Sequence, residues 1–239
     1  STSMKPVGIF RHSITEGPGY FATYLDHRKV PWRLLKLDEG EPVPADAGAF
    51  SGLSFMGGPM SVNDDLPWIS PVLELIRSAV RADLPVIGHC LGGQLMSRAL
   101  GGVVSRNPVK EIGWGRVDLL PGEESRRWLG DQTSFVSFHW HGETFTIPPT
   151  AVRLAASAYC TNQMFSFGKH IGMQCHVEMT PELIATWCSD WSSEGHALAQ
   201  QTPSVQTPQE MLTAVNEKTT TLHRVAERIY GEWLKGLAR

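Results

Sequence analysis

The sequence is short of cysteine, has no charge excess of either sign and contains no long apolar run, and each shortage removes a class of protein. Its four cysteines, Cys90, Cys160, Cys175 and Cys188, show no C-x-x-C spacing and follow no secretory h-region. They therefore read as free thiols of a soluble, cytoplasmic protein rather than a disulfide framework. No stretch approaches the ~18 apolar residues of a membrane-spanning helix. Lysine and arginine number 21 against 24 acidic residues, a net charge of −3, which excludes a surface built as a whole for nucleic acid. The same near-neutrality, with 41% hydrophobic residues, excludes a disordered chain.

What is present is enough chain for a full core. At 239 residues, roughly 70 to 75% of the unfolded surface can be buried, so neither disulfides nor a structural metal is needed. Gly and Pro, 23 and 16 residues, make up about 16% of the chain against ~12% on average, without a period, which indicates many tight turns. Ser1-Thr2-Ser3 ahead of Met4 reads as an expression remnant, and residues 4–239 as a single domain.

The first hundred residues alternate short apolar runs with amphipathic ones, as a parallel sheet with crossover helices requires. Strands are expected at 5–11, 32–37, 49–55 and 84–88, and helices at 20–27, 68–82 and 94–100. In the second of these helices, Ile69, Val72, Leu73, Ile76 and Val80 fit one helical face. From Gly113 onward short strands follow in series, at 115–120, 134–138, 152–157, 164–167 and 170–175, which suggests an antiparallel extension of the sheet. Residues 192–208 are polar with Gly195, Pro203 and Pro208, and read as a loop or lid. A helical period over Met211, Val215, Leu222, Val225, Ile229 and Trp233 predicts one long C-terminal helix at 209–236.

The chemistry concentrates where a buried strand meets a helix through Gly88-His89-Cys90-Leu91-Gly92-Gly93-Gln94. G-x-C-x-G is the thiol form of a nucleophile elbow, a sharp turn that presents one reactive side chain. At a helix N-terminus the dipole favours the thiolate, and the free N–H groups point where an oxyanion would develop. Alone, the elbow is also compatible with a Gly-rich strand-to-helix turn around an inert buried cysteine. A thiol acyl-transfer site also needs a base and a group to orient it, and Gln174-Cys175-His176-Val177-Glu178 supplies both. On an extended strand His176 and Glu178 share one face while Cys175 and Val177 turn into the core.

With Met56-Gly57-Gly58-Pro59 added, these motifs in this order resemble the class I (triad-type) glutamine amidotransferases over roughly residues 5–190. More narrowly they resemble the stand-alone branch related to the GMP synthase glutaminase domain. His12 with Glu16-Gly17-Pro18-Gly19, Glu111-Ile112-Gly113-Trp114 and His139-Trp140-His141-Gly142-Glu143-Thr144-Phe145 carry that narrower likeness. The resemblance implies Cys90 as nucleophile, His176 as general base and then acid, and Glu178 as its orienter. It also implies an oxyanion hole from the backbone N–H groups of Gly58 and Leu91. Gln94, with backbone near Trp140 and His141, would hold the α-amino and α-carboxylate groups of a glutaminyl substrate. One departure is that the usual His-Pro-Glu reads His176-Val177-Glu178, so the turn lacks proline's φ restraint.

The resulting expectation is an α/β three-layer flavodoxin-like domain, with a mostly parallel central sheet, an antiparallel β extension and the site outside the carboxyl ends of the parallel strands. It would hydrolyse a γ-glutamyl amide, glutamine or a conjugate, through a γ-glutamyl thioester and without a cofactor. Ammonia would pass to a separate synthetase subunit if the substrate is glutamine. Two other readings stand beside this one. One is a non-catalytic binding or assembly subunit with an idle triad. The other is a metal-dependent hydrolase using His139, His141 and Glu143, spaced i, i+2, i+4 on one strand face.

Overall fold

The computed structural model describes residues 4–193 and 202–239. Its centre is a nine-stranded sheet. The strands are β1 (Val7–Arg11), β2 (Trp32–Lys36), β3 (Gly52–Phe55), β4 (Val86–His89), β5 (Val104–Leu119), β6 (Ser134–Phe145), β7 (Val152–Ser157), β8 (Met164–Phe167) and β9 (His170–Met173). Their spatial order is β2-β1-β3-β4-β9-β8-β7-β5-β6. The five strands from β2 to β9 pair in parallel, and the pairs from β9 to β6 are antiparallel. This is the expected mixed α/β, flavodoxin-like sheet with its antiparallel extension.

Helices cover both faces because the parallel strands bury both sides. On one face, Val7, Ile9 and Ile87 pack with Phe21 and Leu25 of α1 (Tyr20–His27), Trp128 of α4 (Glu123–Leu129) and Ile229 and Trp233 of α7 (Val215–Leu234). On the other, Phe10, Leu53 and Phe55 meet Val72, Leu75 and Ile76 of α2 (Ile69–Arg81) and Leu95 of α3 (Leu91–Ala99). A third cluster joins Ile112 and Phe138 of the extension to Ile184 and Trp187 of α5 (Pro181–Ser193) and Met211 of α6 (Pro208–Leu212). No helix among the described residues is long and apolar enough to cross a membrane.

Two expectations for the C-terminal region change. The helix at 209–236 is two helices, α6 and α7, because Ala214 between them adopts a left-handed conformation with φ of 52°. The earlier start follows from local chemistry: Thr207 and Glu210 form a reciprocal capping box with Pro208 in the first turn. Within the expected loop at 192–208, residues 194–201 lie outside the described residues, and 202–207 are tied to β5. Ile112 N–H donates to the Ser204 carbonyl (2.9 Å), Gln206 N–H to the Ile112 carbonyl (3.0 Å) and Trp114 N–H to Gln206 Oε1 (2.8 Å).

Candidate active site

At the carboxyl end of β4 the chain turns sharply into α3 through Cys90, which holds φ of 54° and ψ of −107°. A non-glycine residue at positive φ is strained, and such strain persists where the surroundings over-determine it. The surroundings are tight. A Cβ at Gly92 would overlap the Phe55 carbonyl oxygen, and one at Gly88 would overlap the backbone of Gly92, so only glycine lets α3 seat itself against β3 and β4. Cys90 N–H donates to the Met173 carbonyl (2.8 Å), which ties the turn to the end of β9. The thiol is 5% exposed. It lies 3.7 Å from the Trp140 carbonyl oxygen and 3.5 Å from Gln174 Nε2.

His176 and Glu178 follow β9. His176 N–H donates to the Phe138 carbonyl (2.8 Å) in a single antiparallel bridge to β6. Its Nδ1 lies 2.9 Å from Glu178 Oε2. Cys175 and Val177 are fully buried on the opposite side, as the alternation requires. Without proline at 177, the pose of Glu178 is fixed by its own carbonyl, which accepts from Tyr20 N–H at the start of α1 (2.9 Å). His176 Nε2 has no hydrogen-bond partner among the described residues, and the Cys90 thiol is its close electrostatic neighbour. Burial, the largest single influence, opposes the imidazolium, but Glu178 and Cys90 together outweigh it and raise the His176 pKa well above its usual value. Burial likewise opposes the Glu178 carboxylate, and His176 more than offsets it, so the Glu178 pKa falls. The three groups are thus brought together as a thiol, an imidazole and a buried carboxylate.

The cavity at this thiol has a volume of about 600 Å³. Gly58 and Gln94 line it, and Leu91 opens α3, where N–H groups have no intrahelical acceptor. Gln94 Nε2 donates to the Glu143 carbonyl (3.2 Å) and to Gln174 Oε1 (3.1 Å). Trp140 and His141 also line the cavity, but the His141 ring is held from behind. Its Nδ1 faces the Glu143 carbonyl oxygen (2.7 Å) and its Nε2 faces Glu111 Oε1 (2.7 Å).

Glu111 is the hub of that arrangement, accepting also from Ser157 Oγ (2.7 Å) and Gln163 Nε2 (2.7 Å). Burial raises its pKa, yet the His141 hydrogen bond and the charge of His139 prevail and bring it to about 2. Among the described residues, His139, His141 and Glu143 are not gathered into one set of ligand atoms. Both nitrogens of His141 are already engaged, and His139 Nε2 bonds the Gly115 carbonyl (3.0 Å). The trio of possible ligand atoms found within 4.8 Å among the described residues is instead Glu111, His141 and Cys160, and Glu111 there already serves three donors.

Glu16, which the sequence presents only within the Glu16-Gly17-Pro18-Gly19 stretch, and Trp187 and Trp191, to which no motif assigns a role, all line the cavity. Glu16 Oε1 lies 2.5 Å from the point where a Cβ on Gly57 would sit, and His176 Cε1 lies 3.1 Å from that point. Burial, with the Glu178 charge adding to it and His176 opposing, lifts the Glu16 pKa to about 7. An acidic residue just before the Gly17-Pro18-Gly19 turn was the available signal, but nothing local shows that the turn reaches His176.

Comparison with known proteins adds to this geometry. The family description Glutamine amidotransferase class-I matches residues 20–186. A crystal structure of a glutamine amidotransferase from Methylobacillus flagellatus is 45% identical and superposes with a TM-score of 0.96, over 99% of this chain and 97% of that one. The glutamine amidotransferase-like protein YfeJ of Salmonella typhimurium is 32% identical over 72% of this chain and 75% of its own. Gamma-glutamyl peptidase 3 of Arabidopsis thaliana is 26% identical over 70% of this chain and 71% of its own.

Proposed function

The chain belongs to the class I glutamine amidotransferase family, and on that premise we propose that it cleaves a γ-glutamyl amide through Cys90, His176 and Glu178. The observation that carries the reading is the buried file of Glu178 Oε2, 2.9 Å from His176 Nδ1, then an otherwise unpartnered His176 Nε2, then the strained Cys90 at the cavity wall.

Cys90 Sγ attacks the side-chain amide carbonyl, and the thiol proton passes to His176 Nε2. The carbonyl oxygen becomes an oxyanion held by the N–H groups of Gly58 and Leu91. His176 returns the proton to the amide nitrogen, the C–N bond breaks, and ammonia or an amine leaves a γ-glutamyl thioester. Water then gives a proton to His176 and its oxygen to the carbonyl carbon, and Cys90 departs as the thiol once His176 returns that proton. Glu178 keeps the imidazole oriented and stabilises its charged form. Gln94, with the backbone of Trp140 and His141, holds the α-amino and α-carboxylate groups. The relative bearing the name gamma-glutamyl peptidase supports a conjugate as substrate, and on that reading the chain works alone.

The test is an assay of glutamine and a panel of γ-glutamyl amides with the parent and Cys90→Ala proteins, without any added subunit. The expected result is release of amine by the parent and loss of at least about 10³-fold in the variant. Equal turnover by both would overturn the reading. Turnover that appears only when a separate synthetase subunit is added would overturn the stand-alone part of it.

A further inference from the structure

Three tryptophans build one wall of the cavity that holds Cys90. Trp187 of α5 packs edge-on against His176, with ring centroids 5.0 Å apart and planes at 79°. Trp140 of β6 lies nearly perpendicular to Trp187 at 5.8 Å and to Trp191 at 5.2 Å. All three line the cavity. Trp140 and Trp191 are only partly buried, so indole surface faces the open space. The wall is fixed, because Trp187 Nε1 donates to the Thr15 carbonyl (2.7 Å) and the rings brace one another.

We infer that this wall is the subsite for the amine portion of the substrate, and that it takes γ-glutamyl amides whose amine carries an aromatic ring. The inference rests on the acyl-transfer reading above and names the substrate class for the same site. The group that protonates the departing nitrogen is His176, so the amine must lie beside that imidazole, and the ring packed on the imidazole is Trp187. Gln94 and the backbone of Trp140 and His141 hold the glutamyl end, which leaves the ring of Trp140 to face the amine. A volume of about 600 Å³ corresponds to roughly twenty waters of liquid, well beyond the needs of glutamine. With ammonia as the leaving group, the faces of Trp140 and Trp191 would stay wetted. An aromatic amine covers them and gains both apolar burial and ring contacts.

The test compares γ-glutamyl-phenethylamide with γ-glutamyl-ethylamide, which share charge and amine type and differ by one phenyl ring. The expected result is a kcat/KM ratio of about ten-fold or more in favour of the ring. Trp191→Ala should bring the ratio toward one, and Trp191→Phe should restore most of it. Equal kcat/KM for the two amides in the parent protein, or a preference that survives Trp191→Ala, would overturn the inference while leaving the acyl-transfer reading in place. If no amide is cleaved at all, the acyl-transfer reading fails. The wall is then judged by tryptophan-fluorescence titration of the Cys90→Ala protein. Tighter binding of the phenethylamide, lost on adding Trp191→Ala, supports it, and equal binding of the two amides overturns it.

Discussion

At the scale of single residues, Glu16 is the group whose environment says most. Burial beside Glu178 raises its pKa to about 7 from 4.5, so the native protein holds this proton up to neutrality while the unfolded chain releases it near 4.5. Between those values the native state binds more protons, and stability attributable to Glu16 falls as pH rises through the window. Glu16→Gln removes the titration. Relative to the parent, the variant should therefore be more stable at pH 8 than at pH 5, as read from urea midpoints at the two pH values; a difference that does not move with pH would refute this. Reciprocally, ionised Glu16 supports the charged form of His176. The alkaline limb of kcat/KM, which follows loss of the His176 proton, should move to lower pH in Glu16→Gln. A limb that stays in place would show that the two groups do not communicate. Neither coupling could be seen in the sequence, because 160 positions separate Glu16 from His176 and only the fold puts them at one end of the sheet. The pairing of His176 with Glu178 was legible, since two residues on one extended segment meet without help from tertiary structure.

At the scale of elements, legibility followed periodicity. Helix α1 has the expected bounds, and the ends of β1 to β4 and α2 differ from expectation by three residues or fewer, because apolar runs and Gly or Pro punctuation agree there. Strand β5 was expected only from residue 115, yet it begins at Val104. Pro108, Lys110 and Glu111 break the alternation, and the strand passes them by a register irregularity between Arg106 and Glu111. That irregularity sets Glu111 directly opposite His141, a pairing no local pattern announces. Helix α4, with seven residues, is too short to show a period. The break before α7 stayed hidden because alanine at 214 is a helix former. Its left-handed φ of 52° costs ~1–2 kcal/mol for a residue with a Cβ. Ala214→Gly should therefore stabilise the protein by up to about 1 kcal/mol in equilibrium unfolding, whereas an unchanged or lower midpoint would mean that the conformation is not strained. The elbow should respond in the opposite sense. In Gly92→Ala the new Cβ meets the Phe55 carbonyl, a backbone atom that cannot swing aside. A loss of about 1–3 kcal/mol and slower alkylation of Cys90 are expected, and parental stability together with parental labelling would contradict the packing argument.

At the scale of the whole molecule, buried histidines set the response to acid. Burial, the leading influence on each, lowers the pKa of His12, His89 and His170 from 6.5 to about 4. All three are neutral in the native protein at pH 6, while the unfolded chain takes up protons from about 6.5 downward. The unfolded state then binds more protons between pH 6.5 and 4, so the stability these groups contribute is full above 6.5 and is lost as pH falls toward 4. Each contributes a slope of at most about 1.4 kcal/mol per pH unit. Glu16 slopes the other way over much of the same range, but it is one group against three. His176, whose pKa is raised, contributes stability that is present below 6.5 and lost only as pH climbs through its higher native value. Thermal unfolding midpoints should therefore rise from pH 4.5 to pH 6.5. The groups span the molecule: His12 follows β1, His89 ends β4 under Tyr230 of α7 at 2.8 Å, and His170 opens β9. His170 gives the sharpest check, because its Nδ1 accepts from Val86 N–H (3.0 Å) and protonation would set a hydrogen against that donor. His170→Asn supplies an oxygen acceptor that does not titrate in this range, so it should flatten the acid slope without abolishing it. A parent whose midpoint is level or falls from pH 4.5 to 6.5, or a variant with the parental slope, would show that these histidines are not held neutral by the fold.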